Sequence, residues 1–99
     1  MNNRFVIALD NGTSEQQNAI TLHLKKRGFE FWHWIEDLWL LSNVPLGVTP
    51  RRLWEELNEL PELAGQDMIV FMVNSGIAYW GQLPQNAWRW LGENWGAAI

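Results

Sequence analysis

Cysteine is absent from this chain, which excludes a disulfide framework and any thiolate metal site. A cysteine-free chain suits a reducing compartment, so a cytoplasmic location is the expectation. Apolar runs are short. Leu38–Leu41 and Met68–Val73 fall far below the length needed to cross a bilayer, so no membrane association is expected. The opening MNNRFVIALD has one Arg and a run of five apolar residues before Asp10, too short for a signal-peptide core. Positive charge is scarce, with 7 Lys and Arg against 11 Asp and Glu and a net charge of −4. Proteins that hold long duplex nucleic acid present a basic stripe, because counterion release from phosphates drives their affinity. The sole basic run, Lys25-Lys26-Arg27, lies beside a predicted helix end, where cations are favourable anyway. There is no GxxxxGK[ST], HxxxH or HExxH, and no Ser-His-Asp or Cys-His set can be assembled. No repeat, linker or low-complexity segment stands out.

What the chain does have is tryptophan, eight in 99 residues. An indole buries a large apolar area but carries an N–H that needs a partner. Such rings therefore belong in cores, at interfaces or under stacked ligands. Ninety-nine residues make one domain with room for one modest core, and 47% hydrophobic content reads as globular.

The rings concentrate in Phe29–Asn43, FEFWHWIEDLWLLSN, which reads as a hairpin turning at Glu36-Asp37. Without irregularity, Ile35 pairs with Leu38, Trp34 with Trp39, His33 with Leu40 and Trp32 with Leu41. Alternation then places Trp32, Trp34, Trp39 and Leu41 on one face and Phe31, His33, Ile35, Leu38 and Leu40 on the other. Both faces are apolar, so one forms a core and the other needs a cover.

Around this hairpin the order is β-α-β-β-α-β. Arg4–Asp10 reads as a strand apolar on both sides, with Phe5, Ile7 and Leu9 alternating against Val6 and Ala8. Asn11-Gly12 turns the chain, and Thr13 or Ser14 caps a helix that Gly28 stops near Arg27. Ala19, Ile20 and Leu24 form its inward stripe. Thr49-Pro50 opens a second helix carrying Leu53, Leu57 and Leu60, with Pro61 and Gly65 ending the segment. Asp67–Val73 is a fourth strand. After a turn at Asn74-Ser75-Gly76, Ile77–Trp80 is a short appended strand. Pro84 starts a last helix with Trp88, Leu91 and Trp95 at helical spacing, and the tail from Gly96 frays. The fold class is α+β, a ferredoxin-like antiparallel sheet with both main helices on one face and a C-terminal appendage over about 75–99. The bare face would be covered by a second subunit, the C-terminal segment or both. A homodimer or higher homo-oligomer is expected.

VIALD at 6–10, WHWIEDLWLL at 32–41 and DMIVFMV at 67–73 resemble small ferredoxin-like proteins related to the CRISPR-associated adaptation endoribonuclease. The likeness is one of pattern and covers most of the chain. It implies a homodimer and a metal-dependent phosphodiesterase, with Asp10 the single candidate ligand for Mg²⁺ or Mn²⁺. The alternative for Asp10 is a strand-end residue that fixes the Asn11-Gly12 turn.

Other candidates carry paired readings. Asn11 and Thr13 precede a helix whose backbone N–H groups could cradle an anion, or they are a turn and a cap. Arg51 and Arg52 sit at a helix N-terminus, where the macrodipole disfavours cations. They serve a phosphate or carboxylate, or they pair with Glu55 and Glu56 one turn on. Trp32, Trp34, Trp39 and Trp80, with Tyr79, Trp88 and Trp90, form a stacking surface or pack as core. Stacking contributes about 1–3 kcal/mol per base without a basic groove, and burying one large side chain about 1.5–3 kcal/mol. His23 and His33 read as hydrogen-bonded structural histidines, and Glu55, Glu56, Glu59 and Glu62 as a solvated helix face.

Three function classes follow. The first is a non-enzymatic, homo-oligomeric binder of a nucleotide or similar planar anion, without a bound cofactor. By analogy, small acidic binders of this kind serve in phage counter-defence as sponges for nucleotide signals. The second is the metal-dependent nuclease using Asp10. The third is a protein-interaction or inhibitor module whose tryptophan face docks another protein.

Overall fold

The computed structural model describes residues 3–74 and 79–95. Its elements are β1 (Asn3–Leu9), α1 (Ser14–Arg27), β2 (Glu30–Ile35), β3 (Leu38–Val44), α2 (Pro50–Asn58), β4 (Met68–Met72) and α3 (Gln85–Asn94). The architecture is α+β. Four strands form one sheet in the order β2-β3-β1-β4, and every neighbouring pair is antiparallel.

Local chemistry sets the helix ends. Thr13 caps α1 through a reciprocal box: its hydroxyl accepts from the Gln16 N–H, and the Gln16 carboxamide accepts from the Thr13 N–H. Gly28 closes the helix in the left-handed region, φ 75°. Thr49 caps α2, with Pro50 in its first turn.

Two apolar clusters lie on opposite sides of the sheet. Phe5, Ile7, Leu9, Trp39 and Leu41 pack with Ala19, Ile20 and Leu24 of α1 and Leu53 and Leu57 of α2. Val6 and Trp32 pack with Ala87, Leu91 and Trp95 of α3. The chain's own C-terminal helix therefore supplies cover for the second face. Trp95 ties α3 down, its indole N–H donating to the Leu41 carbonyl at 3.3 Å. Arg4 does the same from β1, its Nε donating to the Asn94 carbonyl at 3.1 Å. Of the expected appendage, Pro84 does begin the last helix. The turn through Ser75-Gly76, the Ile77-Ala78 half of the fifth strand and the fraying tail lie outside the described residues. Tyr79 and Trp80 have no regular structure.

The hairpin departs from the simple register. Ile35 pairs with Leu38 and the turn is Glu36-Asp37, as the sequence predicts, but Trp32 pairs with Leu40 and Phe31 with Leu41. His33 and Trp34 together span the place opposite Trp39. That is a β-bulge, one extra residue in β2, and it reverses the facing of everything before it. Trp32 and Trp39 consequently lie on opposite sides of the sheet, in different clusters. The expectation of one shared tryptophan face is corrected accordingly.

Candidate functional site

The bulge decides which rings are available. Trp39 is fully buried on the α1 side, where its indole donates to the Thr21 hydroxyl at 3.1 Å and His33 stacks on it at 4.3 Å. Trp32 is 1% exposed beneath α3. Among the described residues its Nε1 is the single buried side-chain polar atom without a hydrogen-bond partner. An unmet buried donor costs about 1–3 kcal/mol, so Trp32→Phe should destabilise less than the lost ring area implies, by no more than about 1 kcal/mol. Thermal melts of the two proteins check this. Neither Trp32 nor Trp39 can offer a face to a ligand in this arrangement. Trp34, at 43% exposure, leans on the edge of Trp32 with ring centroids 5.5 Å apart. Trp80 is 79% exposed and tilts against Trp88 at 5.3 Å, while Tyr79 stacks on the same ring.

The loop before α1 already holds an anion, a carboxylate of the chain itself. Asp37, in the hairpin turn, accepts from the Gly12 N–H and from the Gln17 carboxamide, both at 3.1 Å. Its carbonyl accepts from the Leu9 N–H at 2.8 Å. Asn11 turns the chain with φ 51°, and Thr13 is engaged in its cap. Within this loop the Gly12 N–H is thus taken by a carboxylate of the chain itself.

Arg51 and Arg52 are exposed, each loosely paired with a glutamate one turn on. Arg51 lies 3.6 Å from Glu55, and Arg52 lies 3.7 Å from Glu56. Glu56 also receives His23 at 2.8 Å and Arg27 at 3.1 Å, so this carboxylate clasps α1 to α2 rather than facing water. Sequence spacing gave the i,i+4 pairs, but nothing in it signalled that Glu56 reaches α1. His33 donates to the Glu36 carbonyl at 2.7 Å. The two histidines are held separately, and among the described residues no three of His, Cys, Asp and Glu come together as a metal site.

Asp10 is exposed at the end of β1, its N–H donating to the Asp67 carbonyl. Both acids line an open cleft of about 660 Å³ with Trp54, Asn58 and Gln66. Gln66 donates to the Asp10 carbonyl across this cleft. The predicted ligand-binding residues are therefore scattered. Asn11 and Thr13 lie at one loop, Arg51 and Arg52 on α2, Trp34 on β2 and Trp80 before α3.

The structure assembles instead a surface that sequence reasoning missed. Ile35 pairs with Leu38, Leu38 with Ala8, and Ala8 with Ile69. Directly opposed residues share a face, so these four make one apolar row across all four strands. The next row, Trp32–Leu40–Val6–Phe71, is built the same way, and α3 packs on its middle. The first row, at the Glu36-Asp37 end, is left half open. Ile35 is 46% and Ile69 56% exposed, with Trp34 and Phe71 exposed beside them. The sequence signal was present, since every strand is apolar on both sides. What it lacked was the bulge that brings Trp34 and Ile35 to this side together.

Comparison with protein-family models, with curated proteins and with solved structures finds no match for this chain.

Proposed function

We propose that this chain is a non-enzymatic binding module that docks a protein partner on the open end of the second sheet face. The observation that carries the reading is the half-exposed row Ile35–Leu38–Ala8–Ile69, flanked by Trp34 and Phe71. Contiguous apolar surface rimmed by polar groups marks interaction sites, and aromatic anchors dominate their energetics. Glu36 at the turn supplies part of a polar rim. The element order and the strand order β2-β3-β1-β4 support a ferredoxin-like scaffold, in which two helices occupy one sheet face and leave the other for binding.

Nucleotide capture draws less support. Of the seven rings read as a stacking surface, Trp32 and Trp39 are interior, and both arginines lie beside glutamates. The nuclease reading rests on Asp10 with Asp67 beside it, without a third ligand among the described residues.

The test is capture from an extract of the protein's own cells with wild type, Ile35→Lys, Trp34→Ala and, as control, Leu22→Lys on the far side of α1. One protein should be retained by wild type and control, lost by the first two variants, and bound again when purified. Retention insensitive to Ile35→Lys would contradict the reading. So would a melting-temperature rise with a mono-, di- or cyclic nucleotide that those variants leave unchanged. Mg²⁺- or Mn²⁺-dependent cleavage of RNA or DNA that disappears in Asp10→Ala would replace it with the nuclease.

A further inference from the structure

We infer that β4 is a pairing edge for a second copy of this chain, joined antiparallel about a two-fold axis at Val70. Among the described residues β4 ends the sheet, bonded to β1 on one side only. The Val73 N–H donates to the Arg4 carbonyl and the Asp10 N–H to the Asp67 carbonyl. Those pairs fix the alternation between them: Ile69 and Phe71 turn their backbone groups toward β1. Met68, Val70 and Met72 therefore point theirs outward. An uncharged edge with free donors and acceptors is a template for another strand, and proteins ordinarily blunt such edges with charge or proline. The segment MIVFM contains neither.

The outward set selects its own image. Antiparallel pairing with Val70 opposite Val70 sets Met68 opposite Met72 of the other copy, and Met72 opposite Met68. Every outward group then meets one of its kind, with no residue left over. In the same register Ile69 of one copy stands opposite Phe71 of the other, and both are exposed in the single chain. The apolar row on the second face continues across the junction.

Charge agrees with the register. The acid flanking the strand is Asp67, and the register sets it opposite Val73 of the other copy. Arg4 lies across from that Val73 on β1, its guanidinium donating to the Asn74 carbonyl at 2.9 Å. Arg4 and the second copy's Asp67 thus flank Val73 on one face, two strand spacings or about 10 Å apart between backbones, within reach of an arginine and an aspartate. The two-fold repeats this at the other end and keeps the two Asp67 carboxylates apart. A parallel alignment would place like beside like and forfeit both pairs.

This edge shares Ile69 and Phe71 with the far end of the docking row, but purified protein alone tests it while the docking test reads Ile35 and Trp34 on β2, so either proposal can fail without the other. Sedimentation of the unmodified chain should give the mass of two chains. A double variant, Ile69→Cys/Phe71→Cys, should form a reducible covalent dimer on copper–phenanthroline oxidation. The opposed positions are a non-hydrogen-bonded pair with backbones about 4.5 Å apart, suited to a disulfide. Leu22→Cys, more exposed than either position but remote, should not cross-link comparably. Asp67→Lys should weaken the dimer roughly fivefold, the range of an exposed ion pair. A single-chain mass at every concentration overturns the inference. So does a dimer whose paired cysteines stay reduced, because it would be joined elsewhere.

Discussion

Replacing Trp39 by Ala is expected to cost about 3–5 kcal/mol of unfolding free energy, whereas Trp34→Ala is expected to change it by no more than about 0.5 kcal/mol. Two tryptophans five positions apart in one hairpin thus differ severalfold in worth. Trp39 is wholly buried among Ile7, Leu9 and α1. Its removal empties a large volume, strips the Thr21 hydroxyl of its donor and takes the platform from under His33. Trp34 is 43% exposed, its ring tilted against that of Trp32 with centroids 5.5 Å apart. Urea unfolding followed by circular dichroism gives both midpoints, and unchanged slopes would license the comparison. Equal costs would mean that the bulge is misplaced and that the two rings share a face.

The second large effect is expected at the loop between β1 and α1. Asp37→Ala should cost about 1.5–3 kcal/mol, the range for hydrogen bonds to a charged group, since it deprives the Gly12 N–H and the Gln17 carboxamide together. Gly12→Ala should cost about 1–3 kcal/mol by overpacking. A Cβ there would fall 2.2 Å from the Leu9 Cδ2 and 2.9 Å from the Asp37 Oδ1, so a core side chain must move. The two losses should not add, because both act on one contact between the hairpin turn and this loop. A double variant as costly as the sum of its singles would show that Asp37 does not organise the loop. Added phosphate or nucleotide should not stabilise the wild type through this loop, because Asp37 occupies it.

Much of this architecture was readable from residue order. Thr13, Gly28, Thr49 and Pro50 mark helix ends by chemistry that acts within a few residues, and the structure uses each of them so. Alternation along β1 separates Phe5, Ile7 and Leu9 from Val6, and those sets do line opposite cores. The need to cover a second apolar face was also legible. α3 meets part of that need, with Leu91 and Trp95 at the spacing the sequence offers.

What could not be read depends on contacts between distant segments. A bulge at His33-Trp34 leaves no local mark, because either register pairs aromatic with aliphatic residues. Its consequence is nonetheless large, sending Trp32 to one core and Trp39 to the other. Asp37 looks like an ordinary turn residue until the turn folds against Gly12, 25 positions away. The pairing of Arg51 and Arg52 with Glu55 and Glu56 followed from i,i+4 spacing, but the clasp by which Glu56 also takes His23 and Arg27 of α1 forms only in three dimensions. The half-open apolar row is a still more distributed object, one residue from each of four strands. Its existence follows from the sheet order, which no short window of sequence contains.

Hydroxyl-radical footprinting read tryptophan by tryptophan on the intact chain tests most directly whether the hairpin's rings are divided between core and surface. The account predicts fast modification of Trp80 and Trp34 and slow modification of Trp32 and Trp39. Modification of Trp32 or Trp39 as fast as Trp34 would contradict it, since the bulge, the two cores and the open row would then be lost together.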